Sequence, residues 1–274
     1  MRSLPCLLSL KPLQGGAYVD IVVFKICLTP LLIAIATLIA RRWGPSVGGW
    51  FVGLPLTSGP VLLFLALEQG AGFSAISAHG SLTGLFALTA FCLGYFKCAR
   101  GKAWLRATLG GLLSYALTMK LVSMFSLALL PELVLLVIVQ QLALFVIGKA
   151  PPCPSTSHPP WWDLPLRMGL AVSIVLAITT FATVLGPKWS GLLAPFPAFV
   201  LIMAAFSMAQ HGSAAAHQFM QGIVTTIPAC IAFFGIVAAL SAYYSLWVVF
   251  SLAAGAAILV NALALALIIR RRRA

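Results

Sequence analysis

Few residues of this sequence could do chemistry, and most of them lie in two apolar stretches interrupted by proline. The first stretch contains Pro55, Thr57, Ser58, Gly59 and Pro60, and the second contains Pro195 and Pro197. A proline inside a helix removes the donor for the carbonyl four residues earlier. In lipid, the freed carbonyl must bind a neighbouring helix, or water and a ligand in a cavity. We therefore predict that these seven residues bind a substrate; the alternative is a simple helix kink.

Three further side chains are candidate proton carriers. Glu68 ends the first interrupted stretch, and a carboxylate within the bilayer is a candidate relay. His79 and His217 lie near the starts of two later apolar runs, and a histidine can change its charge near neutral pH. The alternative for Glu68 is a solvated position at the membrane surface, since the helical rise puts it about 16 Å from the middle of its stretch. The alternative for the two histidines is a position at the interface with satisfied hydrogen bonds.

Residues for enzyme chemistry are scarce. The chain has only four acidic residues, which are Asp20, Glu68, Glu132 and Asp163. It has no glycine-rich nucleotide loop, no Ser/His/Asp set and no His and Glu spacing suited to a metal. The sequence therefore predicts a protein that is not an enzyme and that uses no cofactor and no metal.

The composition indicates that most of the chain is surrounded by lipid rather than by water. Hydrophobic residues make up 62% of the 274 residues and charged residues 8%, and the mean hydropathy is +1.08. A soluble domain is about 45–50% apolar and about 25% charged. Long apolar runs separated by Gly, Pro and basic residues predict an all-α fold, a polytopic transmembrane helical bundle with about nine spans of about 20 residues each.

Basic residues predict the orientation in the membrane. The formal net charge is +13, because 17 Lys and Arg outnumber four acids. Arg41-Arg42, Lys97 to Arg106, Lys149 to Arg167 and Arg270 to Arg273 all flank one side of the predicted spans. Loops rich in Lys and Arg stay in the cytoplasm. This predicts a multi-pass protein of the bacterial inner membrane with its N-terminus outside and its C-terminus cytoplasmic. Membrane lipids are the expected partners; nucleic acid is not expected.

Two parts of the sequence repeat each other. A constant offset of 142 residues aligns Gly44 with Gly186, Pro55 with Pro197 and Gly70 with Gly212. Five spans would separate the copies, so the second would be inverted in the bilayer, as in many secondary transporters. The predicted organisation is two inverted four-helix repeats joined by a central fifth span. Its segments are a tail (1–19), the first repeat (20–125), a linking span with a Pro-rich loop (126–165), the second repeat (166–269) and a basic tail (270–274).

The Pro-rich loop reads KAPPCPSTSHPPWWDL over residues 149–164. Its prolines disfavour a regular helix, and its two tryptophans suit the lipid headgroup layer. We predict that His158 and Asp163 are solvated loop residues. Elsewhere, Gln140, Gln141 and Asn261 are expected to form hydrogen bonds between helices.

The second copy resembles a known family. Its stretch GLLAPFPAF, residues 191–199, and the later Ile227-Pro228 are similar to the GlpM-type small inner-membrane proteins of proteobacteria. The first copy, GWFVGLPLTSGP from Gly49, is similar but more diverged. The resemblance implies a duplicated and fused version of a unit with four spans. It implies no particular activity or substrate.

These patterns together predict a small transporter or flippase. The interrupted stretches of the two copies would meet along the substrate path, and the scarcity of charge favours a neutral or amphipathic, lipid-like small molecule. The alternative is a non-transporting membrane scaffold for envelope or polysaccharide assembly, which would need no cavity. The sequence leaves open the substrate and whether the chain forms a homo-oligomer.

Overall fold

Every element of regular secondary structure among the residues that the structure describes is a helix. The computed structural model describes residues 15–55, 58–125, 127–151, 160–185 and 196–273, without the side chains of 15–26, 60, 61, 64, 65, 68, 69, 175, 178–185 and 265–273. The helices are α1 (Gly15–Trp43), α2 (Pro45–Val52), α3 (Ser58–Gln69), α4 (Ala71–Cys98), α5 (Trp104–Val122), α6 (Leu129–Ile147), α7 (Asp163–Leu185), α8 (Ala198–Leu240) and α9 (Leu246–Arg273).

The central helix is α8, which packs against α2, α4, α6 and α9. Glycine lets α2 and α8 approach closely, because it places no side chain between the two backbones. A Cβ atom added at Gly49 of α2 would overlap the carbonyl of Phe219. One added at Gly222 of α8 would overlap the carbonyl of Ser46. The two helices therefore pack backbone against backbone.

Two glycines that are aligned by the internal repeat have similar backbone conformations. Gly70, between α3 and α4, has φ 89° and ψ 175°, and Gly212, inside α8, has φ 79° and ψ −169°. Residues with a side chain rarely adopt a positive φ of this size. Glycine therefore permits the bend at both positions, although residues 186–195 of the second copy lie outside the described part of the chain.

The outer face of α6 shows how the bundle meets lipid. Its buried residues recur along one stripe, which consists of Glu132, Leu136, Gln140, Ala143 and Ile147. The exposed positions between them include Leu130, Val134, Ile138 and Phe145. A helix that is apolar on its exposed sides is typical of a membrane span rather than of a soluble domain. The two polar residues of α6 with the deepest burial, Glu132 and Gln140, share its inward stripe.

The structure corrects the predicted spans. Within the described residues, four helices are long and apolar enough to cross a membrane: α4, α6, α8 and α9. The protein is therefore an all-α membrane protein, but the prediction of about nine spans in two inverted four-helix repeats is wrong. The predicted second span is divided into α2 and α3, of 8 and 12 residues, whereas a span needs about 20. The long helix α8 is interrupted by the non-helical backbone of Gly212, which lies between the two spans that the sequence assigned to this region.

Candidate functional site

The break between α2 and α3 lies at the interrupted stretch that the sequence singled out. Here α2 ends at Val52, and the chain turns through Gly53, Leu54 and Pro55. Pro55 has no N–H for the carbonyl of Phe51, but the amide of Leu54 donates to that carbonyl at 3.2 Å. The carbonyl that the proline was expected to free is therefore satisfied inside the turn.

Two other carbonyls at the end of α2 are held by side chains of α8. Thr226 Oγ1 donates to the carbonyl of Trp50 at 3.1 Å, and Cys230 Sγ donates to the carbonyl of Gly53 at 3.0 Å. The hydroxyl of Thr226 also lies 2.9 Å from the carbonyl of Gly222 in its own helix. Its single hydrogen is therefore shared, and a thiol is a weak donor. Both carbonyls have partners, but weak ones.

A proline in α8 explains a third contact of this region. Pro228 leaves the carbonyl of Val224 without its usual helical donor. The side-chain amide of Gln140 in α6 donates to this carbonyl at 3.0 Å. The prediction that Gln140 forms a hydrogen bond between helices is confirmed.

The indole of Trp50 completes the arrangement by donating to the backbone carbonyl of Asn261 in α9 at 3.3 Å. Asn261 thus accepts a bond between helices through its backbone, whereas its own side-chain Oδ1 is buried without a hydrogen-bond partner, as is Gln140 Oε1. We call the set Trp50, Gly53, Gln140, Thr226, Cys230 and Asn261 the central polar cluster. It joins α2, α6, α8 and α9.

The other predicted substrate-binding residues have diverse positions. Ser58 is exposed, and Gly59 is buried against Phe233, whose ring would lie 3.3 Å from an added Cβ atom. Pro197 is buried at the start of α8. Thr57 and Pro195 lie outside the described residues, as does the side chain of Pro60. Sequence reasoning missed Thr226 and Cys230, for which the nearby Pro228 was the available signal.

Of the candidate proton carriers, His79 has an acidic partner. Its Nε2 lies 2.6 Å from Oε2 of Glu132, whose side chain is 2% exposed. Thr83 Oγ1 donates to the other oxygen, Oε1, at 2.8 Å. Glu132 is in the first turn of α6, where the positive end of the helix dipole helps to stabilise an anion.

The other two candidate proton carriers are His217 and Glu68. His217 Nε2 lies 2.7 Å from the carbonyl of Ile147, and its ring packs on that of Phe96 with centroids 4.6 Å apart. The side chain of Glu68 lies outside the described residues. The described carboxylate inside a candidate span is thus Glu132, which the sequence had not singled out.

A second ionic cluster contradicts the sequence prediction for Asp163. This residue is fully buried at the start of α7, whereas we predicted that it is solvated; His158 lies outside the described residues. Asp163 accepts from Arg41 at 2.7 Å and from Arg167 at 3.0 Å, and Gln210 also donates to it. Burial alone raises the pKa of Asp163, but the charge of Arg167 and these hydrogen bonds together hold the pKa below its ordinary value.

Arg167 is itself enclosed by α8. Its guanidinium donates to Oε1 of Gln210 at 3.0 Å and lies 4.6 Å from the ring centroid of Phe206. A cation over an aromatic face is attracted by the ring quadrupole. Arg41, Asp163, Arg167 and Gln210, which we call the ionic cluster, therefore join α1 and α7 to α8 just before its bend at Gly212.

No group of three or more His, Cys, Asp or Glu side chains that could hold a metal ion occurs in the described part of the chain.

No protein-family model, no characterised protein and no solved structure matches this chain. Its function is therefore inferred from the arrangement of its own residues.

Proposed function

We propose that the protein is a small membrane transporter or flippase for a neutral or amphipathic substrate, with the break between α2 and α3 as its substrate-binding element. The observation that carries the proposal is this break, packed against the spanning helix α8. Broken helices are tolerated in membranes where they are buried in protein or line a cavity. In many transporters, such broken helices form the substrate site.

The hydrogen bonds at the break support a substrate rich in hydroxyl or amide groups. The carbonyls of Trp50 and Gly53 are held by a shared hydroxyl and a thiol, Thr226 and Cys230. A substrate with a stronger donor could replace Thr226 at little cost, because its hydroxyl also lies within hydrogen-bond distance of the carbonyl of Gly222 in α8. No member of the central polar cluster is charged, which favours a neutral substrate.

Location and ancestry extend the proposal. The ionic cluster, with Arg41 and Arg167, belongs to the basic end of the bundle, and basic ends of membrane proteins face the cytoplasm. We assign the protein to a bacterial inner membrane with the N-terminus outside and the C-terminus cytoplasmic. The choice of a bacterial inner membrane also follows from the resemblance of residues 191–199 to GlpM-type proteins, which we propose as the origin of this sequence.

One observation favours the alternative, a non-transporting scaffold. The α2–α8 contact is tight and dry, with Gly49 and Gly222 against opposing carbonyls, and the carbonyls at the break have protein partners. A scaffold needs nothing more than such packing. The two functions differ in one measurable property, which is flux.

The test is flux in liposomes that contain the purified full chain. Flipping is followed with a fluorescent phosphatidylcholine that dithionite bleaches, and small-molecule flux is followed by light scattering after a glycerol gradient is imposed. The variant Gly53→Ala places a Cβ atom 2.8 Å from Cβ of Thr226, whereas Gly72→Ala adds one in open space. We expect flux of at least one probe above that of protein-free vesicles, reduced at least fivefold by Gly53→Ala and unchanged by Gly72→Ala. Flux equal to that of empty vesicles for both probes contradicts the proposal and supports the scaffold.

A further inference from the structure

We propose that His79, Thr83 and Glu132 form a proton-binding site that opens to water through His79. The inference rests on the proposed transport function, because the site would serve to couple proton binding to movement of the substrate. The site itself is defined by geometry at the first turn of α6, where the chain places a buried carboxylate beside a partly exposed imidazole.

The two oxygens of Glu132 are unequally held. Oε1 accepts the hydrogen bond of Thr83 at 2.8 Å. Oε2 lies 2.6 Å from Nε2 of His79 but accepts no well-aligned hydrogen bond. An ionised carboxylate this deeply buried is costly unless it is paired or protonated. Oε2 is therefore the atom on which a proton would reside.

Asp163 shows how this protein stabilises a buried ionised carboxylate at neutral pH. It is bound by two arginines, which stay protonated at any physiological pH. Glu132 has no such partner in the described residues; its ionic neighbour is His79, which is charged only when it is protonated. The net charge around Glu132 therefore depends on where protons are bound, whereas Asp163 is ionised beside two fixed cations.

The titratable groups on the other helices packed against α4 include Lys120, exposed in the last turn of α5, and Glu68 of α3, whose side chain lies outside the described residues. α6 carries no titratable residue besides Glu132, and residues 71–90 of α4 carry none besides His79. The end of α8 that packs on this turn, where Gly235 faces Leu133, has none over residues 231–240. His79 and Glu132 are thus two ionisable groups in direct contact at this turn.

The proton balance of the pair is simple. With Nε2 protonated and Glu132 ionised, the pair carries one negative charge. When a second proton binds at Nδ1 of the partly exposed His79 side chain, the pair becomes neutral overall. The proton on Nε2 can then pass to Oε2, which leaves a neutral imidazole and a neutral carboxylic acid. One proton enters and one unit of buried negative charge disappears.

A physical route leads from this site to the central polar cluster. Gln140 lies two helical turns after Glu132, about 12 Å along α6, on the same inward stripe. It holds the carbonyl of Val224, two residues before Thr226, which contacts Trp50. A shift of α6 that follows the change of charge at Glu132 would therefore reach the break between α2 and α3.

The test is infrared spectroscopy of the full chain in phosphatidylcholine vesicles, titrated between about pH 4 and pH 9. We expect a protonated-carboxyl C=O band that grows as the pH falls and is absent in Glu132→Gln, which keeps the acceptor for Thr83. The band should persist in Glu68→Gln. In His79→Gln it should persist with its midpoint displaced by about one pH unit or more, a change that a purely structural histidine would not produce.

Two results would overturn the inference: a band that survives in Glu132→Gln, or a midpoint that does not move in His79→Gln. Circular dichroism of each variant confirms that it is folded. The titration needs no transport, so the two proposals fail separately. A titrating band without flux contradicts only the transporter, and flux without a Glu132 band contradicts only the proton site.

Discussion

Arg41, in the last turn of α1, forms an ion pair 2.7 Å long with Asp163, the first residue of α7, across 122 residues of sequence. Arg167 approaches the same carboxylate from one turn further along α7. One buried carboxylate therefore joins α1 to α7, and its charge is balanced by two cations.

Removing the carboxylate should destabilise the protein strongly. Asp163→Ala leaves the nearly buried guanidinium of Arg167 without its counter-ion, and breaking a buried pair from one side costs about 3–5 kcal/mol. The measurement is the free energy of unfolding in detergent, by denaturant titration with circular dichroism. Lys149→Ala, at an exposed position, is the control and should change it by less than about 0.5 kcal/mol. Equal effects of the two substitutions would contradict the structural role of the ionic cluster.

The contribution of Asp163 to the free energy of unfolding should decrease as the pH falls. Its folded-state pKa lies below its ordinary value, so the ionised carboxylate stabilises the fold above the unfolded pKa. This stabilisation is lost as the pH falls through the folded pKa. The advantage of the wild type over Asp163→Asn in unfolding free energy should be constant between about pH 5 and pH 7 and should shrink below about pH 4. An advantage that grows on acidification would refute the assignment.

Close packing of α2 on α8 should make two glycines irreplaceable. Gly49→Ala and Gly222→Ala each force a methyl group into an opposing carbonyl, and overpacking costs about 1–3 kcal/mol or more. Gly72→Ala and Gly169→Ala add the same methyl group in open space, so the higher helix propensity of alanine should leave these variants as stable as the wild type or more so. Melting temperatures in detergent separate the two pairs, and four similar values would argue against the α2–α8 contact.

The bond between Gln140 and Val224 should depend on Pro228. Gln140→Leu leaves the carbonyl of Val224 unpaired, at a cost of about 1–3 kcal/mol. In a Pro228→Ala background, the alanine amide can donate to that carbonyl, so the same Gln140→Leu change should cost less. A double-mutant cycle of unfolding free energies measures the difference. Additive effects would show that Gln140 does not replace the missing helical donor.

The parts of the candidate site that depend on contacts between residues distant in sequence could not be predicted from the sequence. Gln140 was recognised because an amide in an apolar run needs a partner wherever it packs. Asp163 was misjudged because a proline-rich neighbourhood is typical of solvated loops, and its partner Arg41 is remote in sequence. Glu132 was overlooked in favour of Glu68 because only packing of α6 on α4 brings it to His79.

Composition alone determined that this is an all-α membrane protein. A chain with 62% hydrophobic residues cannot hide its surface in water, and lipid accepts backbone only when its hydrogen bonds are satisfied internally, as in a helix. The tertiary structure decided which apolar runs are uninterrupted spans, where the α2–α3 break finds its hydrogen-bond partners, and which carboxylates are buried. Each of these depends on a neighbour supplied by another helix, and a pattern along one helix contains no information about that neighbour.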